Sequence, residues 1–156
     1  MTFICDTTLG KLAKWLRILG YDTLYWRTDD LAGILRRARE EGRILLTKDT
    51  KLFKARGTVE ALLIREDNPF RQLREVVRHF RIVVDEGMLF SRCLSCNALL
   101  EAIDTEEAKG KVPDHIYHTH QEFSRCPLCR KVYWAGTHYG QMTRVVERLQ
   151  QQKEGS

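Results

Sequence analysis

No apolar run in this 156-residue chain approaches the roughly 20 residues needed to cross a bilayer, so no membrane partner is expected. The opening residues, Met1-Thr2-Phe3-Ile4-Cys5-Asp6, lack the basic stretch and apolar core of a secretory leader. A reducing cytoplasm is therefore the expected compartment. There is no low-complexity tract and no internal repeat, and 43% hydrophobic content reads as globular throughout. A Walker loop and a dinucleotide fingerprint are both missing, since Gly10 and Gly20 are isolated glycines that make no phosphate cradle. No Ser-His-Asp arrangement suggests itself either.

What is present is cysteine in an ordered pattern. Four of the five cysteines form two Cys-x-x-Cys pairs, Cys93/Cys96 and Cys126/Cys129. Two disulfides or scattered core thiols are the alternatives, but nothing marks a secreted protein and such short spans suit metal knuckles better. Four thiolates close a tetrahedral Zn²⁺ shell and leave no position for catalysis, so the metal is expected to be structural, in a zinc ribbon. Cys5 reads as a buried, unreactive thiol. His115, His118 and His120, between the knuckles, are expected to be polar residues of an exposed loop; a second metal is the alternative.

Length and cysteines together suggest one ordinary domain followed by a metal-stapled one: 1–88, then a ribbon over 89–148, then a polar tail over 149–156. Residues 1–92 carry 18 Lys and Arg against 13 Asp and Glu, whereas residues 93–156 carry 8 against 8. Four thiolates on one dication would take the ribbon to about −2. The basic excess of the first module is the footprint of a polyanion partner, though solubility alone also accounts for it.

The first module alternates strand and helix. Strands are expected at Thr2–Cys5, Thr23–Trp26, Arg43–Thr47, Val59–Ile64 and Ile82–Val84. Leu9, Leu12, Ala13, Leu16 and Leu19 recur at helical spacing before Gly20, and a second helix starts at Asp29-Asp30 and ends at Gly42. A third opens on Asn68-Pro69, with Phe70, Leu73, Val76, Val77 and Phe80 on one face. Short strands joined by helices imply an α/β fold with a parallel sheet.

In such sheets the functional crevice lies outside the C-terminal strand ends. Asp6 follows the first strand, Asp49 the third and Asp67 the fourth, while Asp30 opens a helix nearby. Each acid has a local explanation, as a helix cap or an Asx-turn. Placed after successive parallel strands, however, they converge, and a self-repelling set of carboxylates suits Mg²⁺ or Mn²⁺. Such a cation beside a basic surface fits phosphodiester hydrolysis. Lys11, Lys14 and Arg17 recur every three residues along the first helix, and Lys48 neighbours Asp49. These are the expected substrate-binding residues, with the solvated face of a helix as the competing account. The aromatics of Val132-Tyr133-Trp134 to Tyr139, with Thr137 and His138, are expected chiefly to pack the ribbon, and stacking of unpaired bases is the alternative.

Asp6-Thr7-Thr8-Leu9-Gly10-Lys11-Leu12-Ala13-Lys14-Trp15-Leu16-Arg17, followed by Leu19-Gly20-Tyr21-Asp22, resembles the opening motif of a PIN-like ribonuclease family named from the C-terminal region of the animal mutator exonuclease mut-seven. Arg43 to Asp49 resembles its second motif. Arg92 to Asn97 and Cys126 to His138 are similar to its ribbon segments. The resemblance implies a PIN-like sheet flanked by helices, a zinc ribbon, and a metal-dependent ribonuclease site carried by Asp6, Asp30 and Asp49. Two features depart from the family pattern: Asp29-Asp30 is followed by Leu31, and Lys51 stands where relatives often place an acid. The expected activity is therefore Mg²⁺- or Mn²⁺-dependent hydrolysis of RNA, single-stranded RNA being the expected partner, with the ribbon engaging RNA or a protein. The alternative is a non-catalytic RNA- or ribosome-associated module with a vestigial acidic cluster. A third reading is a protein-interaction module whose ribbon docks on a separate nuclease.

Overall fold

The computed structural model describes residues 1–134 and 137–154. The chain divides into two compact units, Met1–Phe90 and Ser91–Ser156.

In the first unit, β1 (Phe3–Cys5), β2 (Thr23–Tyr25), β3 (Ile44–Thr47) and β4 (Ala61–Leu63) form a parallel sheet in the order β2-β1-β3-β4. Helices α1 (Gly10–Ile18), α2 (Leu31–Glu41) and α3 (Thr50–Lys54) make the crossovers, and α4 (Pro69–His79) follows the last strand. Ile4 and Leu45 face α2 and α3, packing with Ile34, Leu35, Ala38 and Leu52. Because strand side chains alternate, Phe3 points the other way and meets Phe80, just beyond α4, at a ring distance of 5.9 Å. There α1 and α4 pack on each other. The central strands are buried on both faces, so they read as continuous apolar runs.

Local chemistry sets the helix ends. Asn68 caps α4 through Oδ1, which accepts from Phe70 N–H at 2.9 Å, with Pro69 at the first turn. Helix α1 ends in a Schellman turn: Tyr21 N–H returns to Leu16 C=O at 2.9 Å across Gly20, whose φ is 95°. Gly20 also lies so close to Met88 that a Cβ would stand 2.5 Å from its carbonyl oxygen.

The expected fifth strand does not form. Ile82 N–H donates to Val77 C=O at 2.9 Å, closing a Schellman turn on α4 through Arg81 at φ 53°. The bond that a ladder needs is thus spent on the preceding helix, and Val83 is exposed. Helix α3, absent from the expected elements, occupies the short β3–β4 connection.

The second unit holds the three-stranded antiparallel sheet β5 (Glu101–Ile103), β6 (Phe123–Arg125) and β7 (Val132–Tyr133). Short helices α5 (Thr105–Ala108) and α6 (Asp114–Thr119) lie between β5 and β6 in sequence, and α7 (Thr137–Glu154) closes the chain. His115 and His118 sit on α6, with His120 just beyond it, rather than on a loop. The expected polar tail is instead helical through Glu154, with Leu149 buried, because Val146 and Leu149 stand three apart on one helical face. Gly155 and Ser156 lie outside the described residues. Among the described residues no helix is long and apolar enough to cross a membrane.

Candidate active site and metal centre

The strand order places a topological switch beside β1. The chain leaves β1 for β2 on one side and then crosses to β3 on the other, so the C-terminal ends of β1 and β3 are where an open α/β sheet characteristically receives a ligand. Asp6 follows one strand and Thr47-Lys48-Asp49 ends the other.

Asp6 is buried and held from four directions. Its Oδ1 accepts from Thr8 N–H at 2.8 Å and Thr8 Oγ1 at 2.6 Å. Its Oδ2 accepts from the Thr47 hydroxyl and from Lys48 N–H at 3.2 Å. Thr47 Oγ1 in turn accepts from Asp49 N–H at 2.9 Å, so one hydroxyl joins the first acid to the loop that carries the third. Thr47 was not among the expected site residues; the Thr-x-Asp spacing at the end of a buried strand was its only signal.

Asp49 caps α3, with Oδ1 accepting from Lys51 N–H at 2.8 Å and Leu52 N–H at 3.3 Å. Asp30, rather than Asp29, caps α2 through Gly33 N–H at 2.9 Å, and its backbone carbonyl accepts from Trp26 Nε1 at 3.2 Å. Gly33 is required here, since a Cβ would lie 2.3 Å from Asp30 Oδ2. All three acids thus fill local structural roles. Among the described residues they do not form a set of ligand atoms within 4.8 Å of one another; the cysteine quartet does. Among the described residues, Asp30 and Asp49 each retain an oxygen, Oδ2, that accepts no hydrogen bond. One such oxygen would be enough to anchor a Mg²⁺ ion that keeps most of its waters.

The basic residues divide. Lys11 and Lys14 are exposed on α1. Arg17 corrects the expected stripe, because it is buried and its Nε donates to Thr23 C=O at 2.9 Å. At about 100° per residue, two steps of three leave the third member about 120° from the first. Lys48 Nζ donates to Glu66 C=O at 2.9 Å and pairs with the Asp67 carboxylate, joining the loops after β3 and β4. The hydrogen bond and charge of Lys48 hold exposed Asp67 below the usual carboxylate range.

The second centre is the cysteine quartet. Both knuckles share one turn: Asn97 N–H reaches Cys93 C=O at 2.8 Å, and Arg130 N–H reaches Cys126 C=O at 3.0 Å. Asn97 and Arg130 both take φ 68°, the left-handed conformation that the turn requires. The four sulfurs can hold one ion. Cys93 and Cys129 Sγ lie 3.7 Å apart. Zinc–sulfur bonds of about 2.3 Å give a tetrahedral edge of about 3.8 Å, so the spacing fits. Burial pushes the Cys93 thiol up, but the Tyr133 hydroxyl at 3.1 Å and the N–H groups of Cys96 and Ser95 outweigh it and bring it to about 7. Among the described residues the three histidines join no metal-ligating group. Tyr133 turns to the cysteines, while Val132 and Trp134 pack against Phe123, Val112 and Ala108. Trp134 therefore packs on the core, as expected, whereas Tyr133 serves the cysteine quartet; the side chains of Thr137, His138 and Tyr139 lie outside those described.

A parallel α/β unit with acids at its switch point, joined to a four-cysteine module, defines the class. The chain belongs to the Mut7-C RNAse domain family, which it matches over residues 1–146. It is 35% identical over 99 residues to a human protein called exonuclease mut-7 homolog, covering 60% of this chain and 11% of that protein. The chain thus spans about a tenth of that relative's length. No solved structure matches it. Family and relative support a nuclease function.

Proposed function

We propose that the protein is a ribonuclease that hydrolyses RNA phosphodiester bonds at the C-terminal edge of its parallel sheet, using Mg²⁺ or Mn²⁺, with Zn²⁺ in the cysteine quartet serving structure. The observation that carries this reading is the Asp6–Thr47–Asp49 hydrogen-bond chain at the β1/β3 switch point. Asp30 and Asp49 would hold the ion through their open oxygens, with Asp6 fixed behind them by four donors. When bound, the ion supplies charge neutralisation at the phosphoryl oxygens and a more acidic water. The chain's own work is preorganisation: Thr47 ties the two strand ends, so the acids need not reorganise when negative charge develops. Lys11 and Lys14, exposed on the helix that follows Asp6, would meet backbone phosphates of single-stranded RNA without reading sequence. The ribbon would assist by contacting RNA or a protein, and a cytoplasmic location suits its reduced thiols.

The engagement of all three acids as caps or turns favours the second reading, a binding module without catalysis. Asp49→Asn separates the two, because Asn caps a helix as well as Asp and the fold should hold. With purified zinc-loaded protein, Mn²⁺ and labelled single-stranded RNA, cleavage should fall by at least about a hundredfold in Asp49→Asn, on the order of one lost charge-stabilising group. RNA binding should persist. Wild-type protein that binds RNA and leaves it intact would establish the binding module instead.

A further inference from the structure

Part of the first unit's positive charge is gathered in one groove. A groove of about 460 Å³ is lined by Arg65, Glu66, Arg71, Arg74, Arg78 and His79, together with Glu75. Arg71, Arg74 and Arg78 stand at i, i+3 and i+7, one face of α4, and span about 10 Å along its axis. Arg65 enters from the loop after β4.

This face differs from an ordinary solvated helix. Arg74 and Arg78 form a like-charge pair four residues apart, which an isolated helix disfavours. Glu75, the acid placed to pair with Arg71, turns instead to the backbone: its carboxylate accepts from Arg65 and Glu66 N–H at 3.2 Å. Arg65, Arg71 and Arg78 are exposed, and among the described residues their guanidinium groups make no hydrogen bond or ion pair. The groove also adjoins the candidate site in the chain, because Lys48, next to Asp49, holds the Arg65–Asp67 loop through Glu66 C=O and the Asp67 carboxylate.

We propose that this arginine groove on α4 is a docking track for the phosphodiester backbone of single-stranded RNA, leading substrate past β4 to the acidic edge. The proposal rests on the ribonuclease reading and adds where the rest of the strand lies. Guanidinium forks suit phosphate oxygens bidentately, and contacts to the backbone give affinity without base choice.

The test uses full-length, zinc-loaded protein carrying Asp49→Asn, so that labelled poly(U) RNA is bound and not cut. Arg71→Ala/Arg78→Ala should weaken binding by about tenfold and reduce the slope of log affinity against log salt by about 1.4, the value for two lost single-strand phosphate contacts. Arg71→Lys/Arg78→Lys should recover most of the affinity. Arg39→Ala/Lys54→Ala removes the same charge from α2 and α3 and should change binding by less than about twofold. Equal weakening by both alanine pairs would assign binding to net charge and overturn the track. Unchanged affinity in Arg71→Ala/Arg78→Ala would overturn it while leaving the ribonuclease reading, which cleavage by wild type reports separately. Wild type that cleaves nothing, yet loses RNA binding with these arginines, would keep the track and remove the nuclease. Competition by polyglutamate as strong as by unlabelled poly(U) would overturn it in favour of an acidic protein partner.

Discussion

Arg43 holds the edge of the sheet opposite the acids. Its Nη1 donates to Phe3 C=O at 3.1 Å and to the Asp22 carboxylate at 2.9 Å, and its Nε donates to Glu41 at 2.9 Å. It therefore ties the starts of β1 and β2 to the end of α2. Burial disfavours the cation, yet the hydrogen bonds to Asp22 and Glu41 outweigh that and raise its pKa. A raised pKa on a base contributes stability that is complete below the ordinary arginine range and lost only above it, so this tie is constant at physiological pH. Arg43→Met should cost about 2–3 kcal/mol, below the 3–5 of a fully buried pair because Asp22 and Glu41 can rehydrate. Urea denaturation of the variant checks this, and a loss under about 0.5 kcal/mol would mean that the three ties add nothing. Sequence placed Arg43 at the start of a strand and of a family motif but not in this role, which lies in carbonyls 21 and 40 residues away. Arg17 misled for a related reason: period three looks like a stripe on paper and walks around a helix of 3.6 residues per turn.

Among the elements, the β3–β4 pairing controls how the basic loop meets the acidic edge, and Lys48–Asp67 is its clasp. Asp67 is lowered by Lys48, so its contribution exists above the ordinary carboxylate pKa and disappears as pH falls through the depressed folded value. Asp67 is almost fully exposed, so the pair matters for loop geometry more than for stability. In a carbon-detected NMR titration, the Asp67 carboxylate should show a midpoint below the ordinary value of about 3.9 and return toward it in Lys48→Met. An unmoved midpoint would show that the clasp is open in solution. The four strands and three long helices of this unit were legible because apolar runs, caps and glycine stops agree with one another. Helix α3 was not, because five residues carry too little periodicity. Ile82–Val84 was misread because a β-branched run specifies an extended chain but not a partner, and the Schellman turn at Arg81 had already taken its first donor.

For the whole molecule, the two units rest on unequal cores. The first buries Phe3, Ile4, Leu12, Leu16, Leu45, Leu46 and Leu73 almost completely. The second buries fewer large side chains, gathering Ala108, Val112 and Phe123 in one cluster and burying Val146 and Leu149 on α7. That core is too small to order its knuckles without a staple. The cysteine spacing marked the metal-ligating quartet in sequence, and the cap and turn roles of the acids were legible there as well. Removing the metal should therefore act on one unit alone. With a strong chelator at neutral pH, hydrogen exchange should collapse over residues 91–134 while amides of β1, β3 and α1 keep their protection. Four thiols should become reactive toward a disulfide reagent in that state. Cys5 should remain silent until denaturant is added, because it is fully buried and burial, then Asp6, pushes its thiol up. Loss of protection across both units on chelation would show instead that the metal module supports the sheet. Cleavage lost while both units remain protected would place the ion at the chemistry rather than in the scaffold.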